Sequence, residues 1–119
     1  MLCALAFGFL TGNLILKPLV ARPRPCWINE TVALLISVPH DYSFPSGHTL
    51  SSVICCTVLI LVKRKFAVFA LPLAFFIAFS RLYLYVHFPT DVLFGVIYGI
   101  VIGFAAFKSA KRYLPGFDY

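Results

Sequence analysis

Three short polar stretches of this sequence hold the residue types that bind a phosphoryl group and act on it. They are KPLVARPRP at positions 17–25, PSGH at 45–48 and SRLYLYVHFPTD at 80–91. A phosphoryl group carries its negative charge on peripheral oxygens, so catalysis on it requires fixed cations and N–H donors around a nucleophile. Because the stretches supply arginine, lysine, serine, histidine and aspartate, they indicate a phosphate site.

The predicted phosphate ligands come from all three stretches. Arg24 and Arg81 can each donate two parallel hydrogen bonds to a phosphate, and Lys17 adds a compact positive charge. Ser46 and Gly47 precede an apolar run, where the first N–H groups of a helix and its dipole attract an anion. We expect these five residues to hold the phosphoryl group.

His87 and Asp91, four residues apart, form the predicted catalytic pair. If the carboxylate accepts a hydrogen bond from one imidazole nitrogen, the other nitrogen is available as a nucleophile and the cation formed on attack is stabilised. His48 can then protonate the departing oxygen as general acid and later activate water. This scheme requires no metal and no other cofactor, and the cationic surroundings would repel a divalent ion.

The order and internal spacing of the three stretches resemble the three-part signature of the type 2 phosphatidic acid phosphatase family. The resemblance covers Lys17 to about Phe107, and the family includes bacterial undecaprenyl-diphosphate and phosphatidylglycerophosphate phosphatases. It implies that His87 forms a phosphohistidine, that His48 is the acid, and that the phosphate ligands are Lys17, Arg24, Ser46, Gly47 and Arg81. Relatives commonly have six membrane spans, so we expect this chain to lack the N-terminal helices.

Composition indicates that these stretches belong to a membrane protein. Hydrophobic residues make up 61% of the chain and charged residues 12%, against about a quarter charged in a typical soluble domain. Four apolar runs, at 2–16, 49–62, 66–86 and 92–107, lack the strict alternation of barrel strands, and a bilayer core accepts only helices or closed barrels. We therefore predict an all-α transmembrane helix bundle of about four spans, forming a single domain over residues 1–119.

The path of such a bundle predicts that the polar stretches meet on one membrane face. In an up-and-down arrangement, the loops 17–44 and 81–91 lie on the same side; they contain His40 and His87, and His48 follows shortly after the first loop. The basic turn 63–65 and the basic tail lie on the opposite side, which the positive-inside rule assigns to the cytoplasm. We expect the active site on the extracytoplasmic face of the cell membrane.

Glycines predict how the helices pack. Gly95, Gly99 and Gly103 recur every four residues, and Gly8 and Gly12 share this spacing. Small residues at this spacing allow two helices to approach closely. We interpret both sets as contacts within one protomer, with a dimer interface as the alternative, and the sequence leaves the oligomeric state open.

Two further polar residues near the motifs have no motif position. Arg22 is an additional cation, for which a contact with a lipid headgroup is one interpretation. His40 is interpreted as a hydrogen-bonded residue at the membrane interface. The sequence gives neither a catalytic role.

The predicted partners are the lipid bilayer and a lipid that carries a phosphate. Undecaprenyl diphosphate is the preferred substrate by analogy, with phosphatidylglycerophosphate and phosphatidic acid as alternatives. A non-catalytic membrane fragment that binds anionic lipid is the other class that remains open. The net charge of +6 is divided between two membrane faces, so we expect lipid headgroups and no nucleic acid as ligands.

Overall fold

The computed structural model describes residues 1–114 and Gly116, and it assigns them to helices, turns and loops without a strand. In chain order the elements are α1 (Leu2–Phe9), a π-helical segment (Leu10–Leu16), α2 (Lys17–Val20), α3 (Pro25–Ile28), α4 (Gly47–Val62), a 3₁₀ turn (Arg64–Phe66), α5 (Ala67–Tyr83) and α6 (Pro89–Tyr113). The predicted all-α class is confirmed.

Length and hydropathy identify the segments that can cross a membrane. Leu2–Ile28, Arg64–Tyr83 and Pro89–Tyr113 are long and apolar enough, with mean hydropathies of 1.6, 1.8 and 2.0. Gly47–Val62 is also apolar, but its 16 residues fall short of the roughly 20 that a full span requires. The prediction of about four spans therefore corresponds to three segments of full length and one shorter helix.

The helix α4 lies at the centre of the bundle. It packs against α5 and α6, while α1 packs against α4 and α6. Where α1, α4 and α6 meet, a small buried core forms from Ala4, Leu50, Ile54 and Ile102. The apolar side chains of α5 are mostly exposed, for example Phe69 and Phe75, as suits a helix in contact with lipid tails.

The glycine stripe of α6 faces α4 inside the protomer, as predicted. A Cβ atom at Gly99 would lie 2.9 Å from the side chain of Val53, and one at Gly95 would lie 3.2 Å from the backbone oxygen of Ser46. Gly95 is one turn after Asp91, so its close contact brings the start of α4 against the start of α6. The Ser46 N–H donates to the backbone oxygen of Asp91 at 3.3 Å.

Candidate active site

A pocket of about 380 Å³ lies where the loops between the helices meet. The predicted site residues among its lining are Lys17, Arg24, Gly47, His48, Arg81 and His87. The loops expected to share one membrane face are thus brought together. The other two predicted residues, Ser46 and Asp91, are fully buried behind the pocket wall.

Two short turns with left-handed backbone conformations direct the site residues into place. Ala21, with φ of 50°, ends α2, and the chain then runs extended to Arg24. Tyr85, with φ of 61°, reverses the chain after α5 so that His87 returns to the pocket. Neither residue is a glycine, and residues other than glycine that have a positive φ often occur near functional sites.

The cations at the floor of the pocket are largely shielded from solvent. Lys17 is 6% exposed and Arg24 is 4% exposed, while Arg81, at the end of α5, is half-buried. Cations in a shielded pocket act on an anion more strongly than they would in water. The arrangement can therefore bind a phosphate and stabilise charge that develops on it.

Gly47 allows α4 to begin close to the first membrane helix. A Cβ atom at Gly47 would lie 3.0 Å from the side-chain oxygen of Asn13. Ser46 caps the same helix: its hydroxyl accepts from the Thr49 N–H at 3.4 Å and donates to the Thr49 hydroxyl at 3.0 Å. The helix start therefore presents backbone N–H groups to the pocket, whereas the Ser46 hydroxyl is turned into the cap.

The position of Arg24 determines which ring nitrogen of His87 carries the proton. Nη1 of Arg24 lies 3.2 Å from His87 Nε2 and also donates to the backbone oxygen of Val86 at 3.0 Å. A guanidinium can only donate, so Nε2 must accept and the neutral ring carries its proton on Nδ1. The unprotonated nitrogen is thus the one that contacts Arg24, a residue of the pocket lining.

The other nitrogen of His87 faces Asp91. Nδ1 lies 3.6 Å from Asp91 Oδ2, slightly too far for a hydrogen bond, and has no other partner within the described part of the chain. Catalytic hydrogen bonds often tighten only when substrate binds. Nδ1 and Asp91 are thus neighbours, but the hydrogen bond that the sequence predicted between them is not formed at this distance.

Burial lowers the pKa of His87, and the positive charge of Arg24 lowers it further, although Asp91 opposes both effects. A lowered pKa keeps the ring neutral at pH values where an ordinary histidine is partly charged. The free energy of unfolding therefore decreases, through His87, as the pH falls below 6.5, the ordinary pKa of histidine.

This shift predicts the acid side of the pH profile. If His87 is the nucleophile, as the sequence predicts, it cannot attack when protonated, and kcat/KM is expected to fall on the acid side with a midpoint below 6.5. The check is a pH series of phosphate release in detergent, with thermal unfolding recorded at each pH. A midpoint above 6.5 in folded protein would contradict a buried, neutral nucleophile.

Asp91 is held by residues that the sequence did not assign to the site. Its Oδ1 accepts from Arg22 Nη1 at 2.7 Å, and its Oδ2 accepts from the hydroxyl of Ser43 and from the Phe88 N–H at 2.8 Å. Arg22 also donates to the hydroxyl of Thr90 at 2.6 Å. The structure thus adds a contact that the interpretation of Arg22 as a headgroup ligand did not include, because its guanidinium is bound to Asp91.

Arg22 had a detectable signal in the sequence, and Ser43 had none. Arg22 is an additional arginine two residues before Arg24 in the same short stretch, which marks it as a candidate for the same site. Arg24 reaches His87 and Arg22 reaches its carboxylate partner. Ser43 is one of several loop hydroxyls, and nothing in its spacing distinguishes it.

Asn13 is a further pocket residue that sequence reasoning missed. It lies one helical turn before Lys17, and its buried side-chain oxygen has no hydrogen-bond partner among the residues that the structure describes. A polar side chain inside an apolar membrane segment is itself a functional signal. That signal was available, since Asn13 lies inside the apolar run at 2–16.

Asp41, also missed, contacts two of the predicted phosphate ligands. Its carboxylate forms ion pairs with Lys17 and, at 2.7 Å, with Arg24 Nη2, and its backbone oxygen accepts from Arg24 Nε at 2.8 Å. Partial burial raises the pKa of Asp41, but hydrogen bonds and charges from Lys17 and Arg24 outweigh this effect and lower the pKa to about 2. Asp41 is therefore ionised at any ordinary assay pH.

The carboxylate of Asp41 and a bound phosphate would compete for the same donors. We expect Asp41→Asn to strengthen inhibition by inorganic phosphate up to about fivefold, because a partly exposed charge pair is worth at most about 1 kcal/mol. The measurement is the inhibition constant of phosphate, with Glu30→Gln as the control for a general change of charge. Weaker inhibition in Asp41→Asn would show that Asp41 instead positions the two cations.

Comparison with known proteins places this geometry in a family context. The model of the PAP2 superfamily matches residues 1–114. Undecaprenyl-diphosphatase BcrC of Bacillus subtilis is 30% identical over 106 residues, which are 89% of this chain and 54% of that protein. An undecaprenyl-diphosphatase of Sulfolobus acidocaldarius is 35% identical over 89 residues, 74% of this chain and 43% of that protein.

A solved structure matches the fold. The crystal structure of the transmembrane PAP2-type phosphatidylglycerolphosphate phosphatase from Bacillus subtilis superposes with a TM-score of 0.77 and 27% sequence identity. The match covers 97% of this chain and 59% of that one. The chain spans about half the length of the curated relatives that it matches.

Proposed function

Because the chain belongs to the PAP2 superfamily, we propose that it is an integral-membrane lipid phosphatase that forms a phosphohistidine on His87. The observation that carries the proposal is the contact of His87 Nε2 with Arg24 at 3.2 Å in the cationic pocket. Nε2 therefore carries no proton, and its lone pair is free to attack phosphorus once the Arg24 N–H donates to an oxygen of the bound phosphoryl group instead.

In the first half of the proposed reaction, Nε2 of His87 forms a bond to phosphorus. Lys17, Arg24 and Arg81 neutralise the peripheral oxygens, and the N–H groups at the start of α4 add donors. The bond from phosphorus to the leaving oxygen breaks as His48 gives that oxygen a proton. The products are phosphohistidine and the lipid alcohol or lipid phosphate.

In the second half, water replaces His87 on phosphorus. His48, now neutral, takes a proton from the water molecule as its oxygen attacks. The bond between Nε2 and phosphorus breaks, inorganic phosphate leaves, and both histidines return to their starting states. Asp91 stabilises the positive charge on His87 while the intermediate exists.

An apolar groove beside the pocket supports a lipid substrate. It has a volume of about 440 Å³, lies between α4 and α5, and shares His48, Ser51 and Arg81 with the phosphate pocket. Its walls include Leu73 and Ile77. A phosphate held in the pocket would thus have an apolar surface next to it for the lipid attached to it.

We propose undecaprenyl diphosphate as the substrate, because the relatives from Bacillus subtilis and Sulfolobus acidocaldarius are named undecaprenyl-diphosphatases. Phosphatidylglycerophosphate is the second candidate, which the relative with the solved structure favours. The test measures phosphate release from both lipids, and from phosphatidic acid, by the purified chain in detergent containing EDTA.

The expected result is release that EDTA leaves intact, with the highest kcat/KM for undecaprenyl diphosphate. A preference for either other lipid would overturn the substrate. Loss of release in EDTA would contradict the metal-independent reaction. If folded protein releases no phosphate from any of them, the alternative of a non-catalytic fragment that binds anionic lipid is favoured.

We also propose that the pocket opens on the extracytoplasmic face of the membrane. Lys108, Lys111 and Arg112, near the far end of α6, support this orientation through the positive-inside rule. In a background without the four native cysteines, Ser109→Cys should be protected from an impermeant thiol reagent in intact cells. Labelling there would reverse the orientation.

A further inference from the structure

We propose that Arg22 and Ser43 are positioning residues that hold the Asp91 carboxylate towards His87. The inference rests on the proposed function, because it assigns these residues a part in the same reaction. Neither residue belongs to the motif positions that the sequence analysis assigned to catalysis. Both were identified through their contacts with Asp91.

Every polar contact of the Asp91 carboxylate restricts its rotation. The side chain is 0% exposed. Arg22 binds Oδ1 at 2.7 Å, whereas the Ser43 hydroxyl and the Phe88 N–H bind Oδ2. With donors on both oxygens, the carboxylate cannot turn away from His87 without breaking hydrogen bonds in a buried site, where each lost partner is costly.

Arg22 also supplies the charge that a buried carboxylate needs. An ionised carboxylate without a countercharge is strongly destabilised inside a protein. Arg22 is in turn held in place, since its guanidinium lies 5.6 Å from the ring centre of Phe44 and 5.4 Å from that of Phe88. The guanidinium thus contacts two rings while its Nη1 donates to Asp91.

The position of these residues predicts which kinetic constant they affect. In the described structure, Arg22, Ser43 and Asp91 all lie outside the lining of the phosphate pocket. They would therefore contribute little to binding the substrate phosphate. Their effect would appear when His87 becomes cationic during attack. Only then must Asp91 Oδ2 approach His87 Nδ1, which lies 3.6 Å away, and stabilise the charge.

A headgroup contact by Arg22 would have a different kinetic signature. A residue that binds the lipid headgroup contributes to the bound substrate and the transition state alike, so its loss raises KM. A residue that acts through Asp91 contributes in the transition state, so its loss lowers kcat. The division of the effect between KM and kcat separates the two roles.

The experiment compares Arg22→Gln, Arg22→Lys and Ser43→Ala with the wild-type chain. Phosphate release from undecaprenyl diphosphate in detergent gives kcat and KM, and thermal unfolding of each variant is recorded. Thr90→Val is the matched control, because it removes a second hydrogen bond of Arg22 while leaving the bond to Asp91 in place.

We expect Arg22→Gln to lower kcat about 10- to 100-fold, the range typical of residues that orient a functional group from behind, with KM within about twofold of wild type. Arg22→Lys should recover part of kcat because it keeps the charge. Ser43→Ala should lower kcat less than Arg22→Gln, since the ion pair remains. Thr90→Val should stay close to wild type.

Three results would overturn the inference. One is an unchanged kcat in both Arg22→Gln and Ser43→Ala, and another is a raised KM with unchanged kcat, which would assign Arg22 to the lipid headgroup. If Arg22→Gln fails to fold, Ser43→Ala decides, and an unchanged kcat in that variant is contrary to the proposal. No release by folded wild-type protein would overturn the proposed function itself, which distinguishes that failure from the others.

Discussion

Replacement of His87 by alanine is expected to lower kcat for phosphate release by about a thousandfold or more, because the proposed reaction loses the atom that would bond to phosphorus. The measurement is phosphate release from undecaprenyl diphosphate in detergent under saturating substrate. His40→Ala is the matched control, since it removes the same ring from the neighbouring loop but from outside the pocket lining. It should retain activity.

A small loss in His87→Ala would contradict the assignment of the nucleophile. If His87→Ala retained more than about a tenth of wild-type kcat, water would have to attack phosphorus directly, with the histidine in a supporting role. Equal losses in His87→Ala and His40→Ala, with both proteins folded, would show that neither effect is specific to the pocket.

The second large effect is expected for His48→Ala on a monophosphate. Phosphatidic acid releases an alkoxide, which needs a proton from a general acid, and such catalysis contributes about 10²- to 10⁴-fold. Undecaprenyl diphosphate releases a phosphate, which is a better leaving group and depends less on that proton. We therefore expect a loss of about 10²-fold or more on phosphatidic acid and a smaller one on the diphosphate.

The comparison requires kcat for both lipids in wild type and His48→Ala under the same detergent conditions. Ser51→Ala is the control, because Ser51 lines the same pocket one turn further along α4 but is not proposed to transfer a proton. Equal fractional losses on the two lipids would contradict the assignment of His48 as the acid that serves the leaving group.

Hydropathy predicted the helices well and their ends less well. The first apolar run ends at Leu16, yet the helical backbone continues through Lys17–Val20 until Ala21 adopts a left-handed conformation. Similarly, α6 runs to Tyr113, well beyond the apolar run at 92–107. Helix ends are set by backbone hydrogen bonds and by cations that favour the C-terminal dipole, and hydropathy records neither effect.

Motif spacing predicted which residues meet, but not how each one is held. Lys17, Arg24, His48 and His87 line one pocket although up to 70 residues separate them in the chain. The contacts of Arg24 with His87, and the small gap between His87 and Asp91, depend on three-dimensional packing. Spacing within a motif carries no information on such distances.

Three of the residues that sequence reasoning missed share one property: each contacts a motif residue but has no motif position of its own. Arg22 and Ser43 hold Asp91, and Asp41 holds Lys17 and Arg24. Their partners are distant in sequence, with Ser43 and Asp91 separated by 48 residues. A single sequence shows the candidates for such contacts, and only the fold shows which of them are made.

The most direct test of the central claim is to trap the covalent intermediate. Undecaprenyl diphosphate carrying a radioactive terminal phosphate would be mixed with excess protein and the reaction stopped with base, because a phosphorus–nitrogen bond on histidine survives base and is lost in acid. We predict an acid-labile label on the peptide that contains His87, and none in His87→Ala. Phosphate release without any labelled protein, or label on another residue, would contradict a phosphohistidine at His87.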